Sequence, residues 1–567
     1  MHRDPAALAD GTFDVVVVGG GIFGACVAWD AAHRGLSVAL VERGDFGAGT
    51  SAHSFKMVHG GIRYLQHADL IRVRHSCAER TALLKMAPHL VRPLPIMIPT
   101  YGHGMKGKAV LRAGTTLYDL VTFDRNRGIR DPARRIPPAR FLSRRQVLEQ
   151  FPDLDPAGLT GAATFCDGQM YNPPRLVLAF LRSAVAAGAR AANYVEATGF
   201  LRDGDRVTGI RAVDRFGGGA LEVRGRVVVN AAGPWAEPLL ATRLGTPLDP
   251  AGTYSRDACF VVRRRFPGPY ALALTGTTRD PDAVLSRSAR HMFLVPWRGF
   301  TLVGVWHVVH GAGPDDFTVT DGELEAFMGE INAIYPSLAL TLDDVCVWNA
   351  GLVPFGENDP EAKDLSYGKR SRLIDHRETD GLDGLVTLIG VRYTMGRGEA
   401  ARAVDLVADK LGRALPRIPV GSVPVHGGDI DDFEGFAAET ARRHAGVLTP
   451  AVARSLAHNH GTALGGVVDL AEKNPDWAAP VGEGVIGAEV VHAVREEMAV
   501  RLGDVVLRRT DLGSGADPGG GAIDACGRLM AEELGWDAAT TEAEVAAVKR
   551  TLAEHRPTGT AVPVSGG

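Results

Sequence analysis

The chain has 567 residues, 45% hydrophobic and 23% charged, a soluble globular balance with room for two or three cored domains. Its formal charge of −4 provides no field for a nucleic-acid partner, and basic runs such as Arg263–Arg265 read as solvated surface. No segment approaches the roughly 18 uninterrupted apolar residues of a membrane span, and the first eleven residues lack the apolar core of a secretion signal.

Six scattered cysteines (Cys26, Cys77, Cys166, Cys259, Cys346 and Cys526) form no metal-ligand spacing, so no metal site is expected and reduced thiols are. The expected location is the cytoplasm. Peripheral membrane contact stays open, because an amphipathic surface helix leaves little trace. A homodimer is equally compatible with the sequence. Residues 1–11 and 556–567 read as disordered tails.

In chain order, Phe13–Val18 (FDVVVV) is a short apolar β-branched run that predicts a buried parallel strand. GGGIFG follows and sets Gly19, Gly21 and Gly24 in G-x-G-x-x-G spacing. Small residues Ala25, Ala28, Ala31 and Ala32 then mark a helix that packs closely on a sheet, and SVALVE is a second strand ending on Glu42. Gly19 allows the tight turn, Gly21 lets the backbone approach a pyrophosphate, and Gly24 lets helix and strand touch. The helix N-terminus offers unpaired N–H groups to the phosphates, and Glu42 can accept from ribose hydroxyls. Alone the glycine triplet is weak; in this order, within about 30 residues, it specifies a dinucleotide site. The terminal acid argues against NADP and leaves NAD and FAD open.

Further along, HMFLVPW and FTLVGVWHVV alternate as antiparallel strands. GLVTLIGVRYTMGRGEAARAVDLVADKL runs from strand through a glycine turn into a helix. From Gly427 onward, apolar residues recur at helical spacing.

Residues 45–65, DFGAGTSAHSFKMVHGGIRYL, decide for FAD. This stretch resembles the FAD-dependent glycerol-3-phosphate dehydrogenase family, whose segment runs DF-x-x-G-TSS-x-x-SSK-x-x-HGG-x-RYL. The likeness continues through APHLVRPLPIMIP (87–99), the YD of YDLVTFDRNRG (118–128), DGQMYNPPRLVLA (167–179), VVVNAAGPWA (227–236) and AEVVHAVREEMAVRLGDVVLRRTDLG (488–513). It implies an α/β protein: an FAD-binding Rossmann-like domain with an inserted mixed-sheet substrate domain and a C-terminal helical domain. The expected boundaries are 12–81, 173–237 and 384–426 for the first, 82–172 and 238–383 for the second, and 427–555 for the third.

The expected cofactor is FAD, held non-covalently by Gly19, Gly21, Gly24, Glu42, Arg43, Thr50, Ser51, Gly233, Trp235, Gly390 and Thr394. The resemblance further implies that Arg63, Tyr64, His59 and Arg392 reach the substrate side, with His59 equally readable as a support for the loop after it. A fixed guanidinium can orient an anionic or carbonyl-forming substrate, and a phenol can hydrogen-bond it.

The chain departs from the family at several places. Val353 in NAGLVPFGE stands where the family has a phosphate-holding arginine, and Cys259 in RDACFVV where it has a histidine. Trp306 and His307 in GVWH replace a threonine–aspartate pair, and Arg392 in GVRYTMGR replaces a lysine, with Tyr393, Met395 and Gly396 changed beside it. Cys259, Trp306 and Val353 are thereby expected to line the substrate pocket, and His307 to serve as the base.

The expected function is FAD-dependent oxidation of a small hydroxylated substrate by hydride transfer, dehydrogenase-like but with a substrate other than glycerol-3-phosphate. The alternatives are a true glycerol-3-phosphate dehydrogenase, whose phosphate Lys369, Arg370 or Arg372 would hold, and a non-catalytic FAD-binding protein. Quinone, oxygen or a soluble carrier would each serve as electron acceptor.

Overall fold

A computed structural model describes residues 1–67, 69–102, 108–244, 254–279, 289–354 and 371–558; for a few of these, Arg63 among them, the backbone alone. The apolar run beginning the chain forms β1 (Thr12–Val18), followed by α1 (Ile22–His33) and β2 (Val38–Val41). β1 lies between β2 and strand Ala220–Asn230, parallel to both, and strand Leu385–Ile389 continues the parallel order. Val15 and Val17 enter one core cluster and Val16 and Val18 another. Both faces of β1 are therefore covered, which is why its sequence is continuously apolar rather than alternating.

A second sheet of nine strands, mostly antiparallel, stands beside the first. The two segments expected as antiparallel strands lie in it, in Ala289–Trp297 and Phe300–His310, which pair with each other, and Tyr254–Val262 lies between Phe300–His310 and Val345–Pro354. Helices from Phe433 to Glu554 form a third part with two apolar clusters of their own. The run 488–513 is not one helix: it ends at Glu497, and Met498 turns left-handed at φ 56°.

Buried ion pairs fasten the helical part to the rest. Asp45, after β2, accepts from Arg508 and Arg509 at 2.5–2.7 Å. Glu497 accepts from Arg175 at 2.5 Å and Arg182 at 2.7 Å. The two carboxylates are fully buried, and charges so placed are tolerated only when paired this closely.

Three expectations about boundaries need correction. Residues 1–11 are not a disordered tail: Leu8 is fully buried beneath the first sheet, the Met1 amine donates to the Glu496 carbonyl at 2.7 Å, and Arg3 pairs with Asp214. One apolar anchor and two ionic ones hold a segment too polar to look ordered. Strand Arg372–Asp375 belongs to the first sheet, pairing antiparallel with Leu385–Ile389 through a short helix closed by Gly381 at φ 70°, so the substrate part ends before residue 384. The boundary at residue 82 cuts helix Leu70–Met86, and Met57–Val58 pairs into the second sheet. Of the C-terminal tail, Thr558 donates to Asp321 at 3.1 Å, and residues 559–567 lie outside the described residues. Among the described residues no helix is long and apolar enough to cross a membrane.

Candidate functional site

A cavity of about 1460 Å³ runs from the β1–α1 turn to the face of the second sheet. Single small-ligand pockets span roughly 300–1,000 Å³, so there is room for an extended dinucleotide and a substrate. At one end the glycines have separate tasks. Gly19 has φ 104°, and a Cβ there would lie 2.7 Å from the Ala231 carbonyl oxygen. A Cβ on Gly24 would lie 1.9 Å from the Gly19 oxygen, so this residue serves helix–strand contact and does not line the cavity. A Cβ on Gly21 would meet only Ser51 Oγ at 3.3 Å. The protein leaves that space open at the N-terminus of α1, where a phosphate is favoured.

Ser51 Oγ accepts from the Ile22 N–H at 3.0 Å, fixing the loop after β2 against α1. The Glu42 carboxylate accepts from Gly20 N at 2.6 Å and Gly44 N at 2.8 Å. Burial pushes its carboxyl up, against the pull of those two amides, and it faces the cavity in a set orientation. Arg43, Thr50, Gly233, Trp235, Gly390 and Thr394 also line the space. Arg43 lies 4.6 Å over the Trp235 ring, and both donate to Asp315, at 2.8 and 2.7 Å. The buried Ser54 Oγ, also at the cavity, has no hydrogen-bond partner among the described residues. Glycine cradle, oriented acid and unsatisfied hydroxyl together fit FAD.

The other end carries the substrate-side candidates. Tyr64 is buried, with the Arg392 guanidinium 4.9 Å and the Arg72 guanidinium 5.1 Å from its ring centre. His59 donates its backbone N–H to Thr394 Oγ1 at 3.2 Å, and its ring lies 6.1 Å from that of Tyr64. The loop is held from below: Gly60 N donates to Asp167 at 2.6 Å, and Arg80 donates to the same carboxylate at 2.7 Å and to Tyr118 at 3.0 Å. Arg63 falls in the turn Ile62–His67, but its side chain lies outside the described residues.

His307 lines the cavity, and its Nδ1 is 2.7 Å from Asp257 Oδ1. Asp257 also accepts from Ser255 Oγ at 2.6 Å. This imidazole held by a carboxylate has the arrangement of a positioned base. Cys259 and Val353 face the same space. Burial pushes the Cys259 thiol up to about 11, so it stays protonated.

Trp306 does not line the pocket. It packs on Phe327 at 4.6 Å and Phe260 at 6.2 Å, half-buried against the core behind the sheet. Adjacent strand residues point to opposite faces, so His307 and Trp306 cannot share one. The same alternation puts Asp257, two residues before Cys259, on the cavity side. Sequence reading missed Asp257 although this periodicity could have found it. It also missed Arg72 and Asp315, for which no local signal exists.

Arg372 pairs with Glu237 at 2.5 Å and does not line the cavity, while Lys369 and Arg370 lie outside the described residues. His460, His492 and Glu497 cluster in the helical part. Arg175 and Arg182 already neutralise that carboxylate, so the donor set does not suit a cation.

Comparison with known proteins agrees with this geometry. Residues 14–391 match the family model described as FAD dependent oxidoreductase, and residues 420–541 the C-terminal domain of alpha-glycerophosphate oxidase. A glycerol-3-phosphate dehydrogenase of Synechocystis is 32% identical, covering 92% of this chain and 93% of its own. Glycerol-3-phosphate dehydrogenase 2 of Mycobacterium tuberculosis is 31% identical over 94% and 87%. The solved glycerol-3-phosphate dehydrogenase of Bacillus halodurans, complexed with FAD, superposes with a TM-score of 0.74 at 25% identity, covering 98% of both chains.

Proposed function

The chain belongs to the FAD-dependent glycerol-3-phosphate dehydrogenase family, and from that premise we propose that it oxidises a small hydroxylated substrate other than glycerol-3-phosphate. It is an FAD-dependent oxidoreductase acting on a CH–OH donor. FAD, when bound, accepts the hydride. In this reading Gly21, Ser51 and the α1 N-terminus meet the pyrophosphate, Glu42 the ribose, and Arg43 with Trp235 the adenosine end. Tyr64 and Arg392 orient the substrate, with Arg63 beside them by family resemblance. His307 takes the hydroxyl proton at Nε2 while Asp257 holds Nδ1 and stabilises the imidazolium that forms.

The observation that carries the choice of substrate is Val353 on the cavity wall, at the position of the family's phosphate-holding arginine. A dianionic phosphate facing that wall would lose several kcal/mol of solvation, about 3 or more, without a compensating ion pair. The cations nearer the flavin end, Arg72 and Arg392, flank Tyr64 instead, and Arg72 is 3.2 Å from Asp69. The test is anaerobic mixing of the yellow protein with glycerol-3-phosphate and a panel of polyols, sugar phosphates and amino alcohols, following flavin bleaching. Bleaching fastest with glycerol-3-phosphate would refute the reading.

Peripheral membrane contact with a quinone as acceptor is supported by Ile71 of helix Leu70–Met86, Leu120 of helix Lys108–Val121 and Phe123 just after it, apolar side chains that are 67–79% exposed. Liposome flotation tests it; protein left wholly in the aqueous fraction would count for oxygen or a soluble carrier.

A further inference from the structure

We propose that His53 is an attachment site for the flavin, its Nε2 bonding to the methyl carbon at position 8 of the isoalloxazine ring. The proposal rests on FAD filling the cavity described above. The glycine motif by itself implies a cofactor held without a covalent bond; the surroundings of His53 change that expectation.

His53 lines the cavity. It follows Thr50 and Ser51, at the phosphate end, and precedes His59 and Tyr64, at the substrate end, and its neighbour Asn349 is paired in the second sheet with Cys259 of the cavity wall. Its Nδ1 is 3.3 Å from Asn349 Oδ1. An amide oxygen accepts only, so Nδ1 carries the proton and the lone pair sits on Nε2. His555 packs edge-on at 5.2 Å and is itself 4.5 Å from the Trp348 ring, which hinders rotation of the imidazole. Burial, with His555 and Lys56 beside it, lowers the imidazole to about 3. It is therefore neutral and nucleophilic at any working pH.

The other nucleophiles nearby are poorer. Cys259 stays a thiol, and Lys56 stands over the Trp297 ring at 4.8 Å, outside the cavity. Helix Gly396–Leu411 begins at the same cavity, through the turn Tyr393–Met395. Its N-terminal end favours the negative charge that the ring must carry when the methyl group gives up a proton.

The step balances without an outside reagent until its end. The methyl carbon loses a proton and forms a bond to Nε2, the imidazole loses its N–H proton, and the two protons and two electrons remain on the flavin as its reduced form. The acceptor of the catalytic reaction, dioxygen or a quinone, then removes those two electrons and two protons and restores the oxidised ring.

The experiment uses the full-length protein purified with its flavin. It is precipitated in acid, the pellet and supernatant are assayed for flavin, and the pellet is digested for peptide mass mapping. The expected result is flavin in the pellet, with the peptide containing His53 heavier by one FAD. His53→Ala and His53→Asn should bind FAD in the native state and release all of it on precipitation. Native wild-type protein that is yellow but releases all its flavin overturns the proposal and leaves FAD binding intact. Flavin retained by the His53 variants, or mapped to another peptide, overturns it too. Native protein without flavin sinks both this proposal and the reading it rests on.

Discussion

Removing the imidazole of His307 should stop the chemistry while sparing the cofactor. A positioned general base contributes about 10²–10⁴-fold, which at about 1.36 kcal/mol per tenfold is roughly 3–5 kcal/mol of barrier. His307→Ala should therefore slow flavin bleaching by the best substrate at least about a hundredfold. Asp257→Asn probes the same pair from the other side. It replaces a charge-assisted hydrogen bond at 2.7 Å by a neutral one and lets Nδ1 lose its proton to the opposite tautomer. Hydrogen bonds to charged groups are worth about 1.5–3 kcal/mol, so a loss of about ten- to a hundredfold is expected. Ser255 Oγ, 2.6 Å from the same carboxylate oxygen, keeps residue 257 in place, so folding should survive. The assay is anaerobic stopped-flow at the flavin absorbance, with FAD content measured beforehand and added imidazole tested for rescue of His307→Ala. If both variants hold full FAD and bleach at the parental rate, the pair merely ties two strands together. The base must then be sought among the remaining cavity groups, His59 first.

Glycerol-3-phosphate should give a specificity constant at least about a hundredfold below that of the best compound in dye-linked turnover, from the penalty at Val353; parity would mean that another cation binds the phosphate. Gly21→Val should purify largely without FAD, because its Cβ meets only Ser51 Oγ and the branched side chain fills the phosphate's place; a normal flavin spectrum would refute this. Asp45→Ala takes from the buried Arg509 its carboxylate partner, leaves Arg508 only Asp504, and should cost about 3–5 kcal/mol in urea unfolding; a change under about 1 kcal/mol would show that the helical part is held otherwise. Glu489 has its carboxyl raised from 4.5 to about 8 by burial. Between those values the folded chain keeps a proton that the unfolded chain has released, so this residue's contribution is full below pH 4.5 and is lost as pH rises toward 8. Glu489→Gln should raise the melting temperature at pH 8 and leave it nearly unchanged at pH 4.5; equal shifts at both would contradict the linkage.

What could be read in the chain before folding was local. Gly19, Gly21, Gly24 and Glu42 lie within one strand–turn–helix–strand unit, and covalent spacing alone brings Gly19, Gly21 and Glu42 to one end of a cavity while Gly24 packs helix on strand. The apolar runs of both sheets and the helical periodicity after Gly427 were legible for the same reason: backbone geometry converts spacing into a face. Tertiary structure decided what depends on distant partners. Alternation says that His307 and Trp306 point opposite ways, but which of them meets the cavity depends on the packing of helix Asp321–Ile334, whose Phe327 takes the indole. Asp257 reaches His307 across 50 residues and Arg43 reaches Asp315 across 272. The order of residues 1–11 depends on Glu496, at the far end of the sequence. Loop closure over such separations leaves no mark in composition or period, because the free energy that stabilises it comes from contacts that exist only once the sheets and helices have packed.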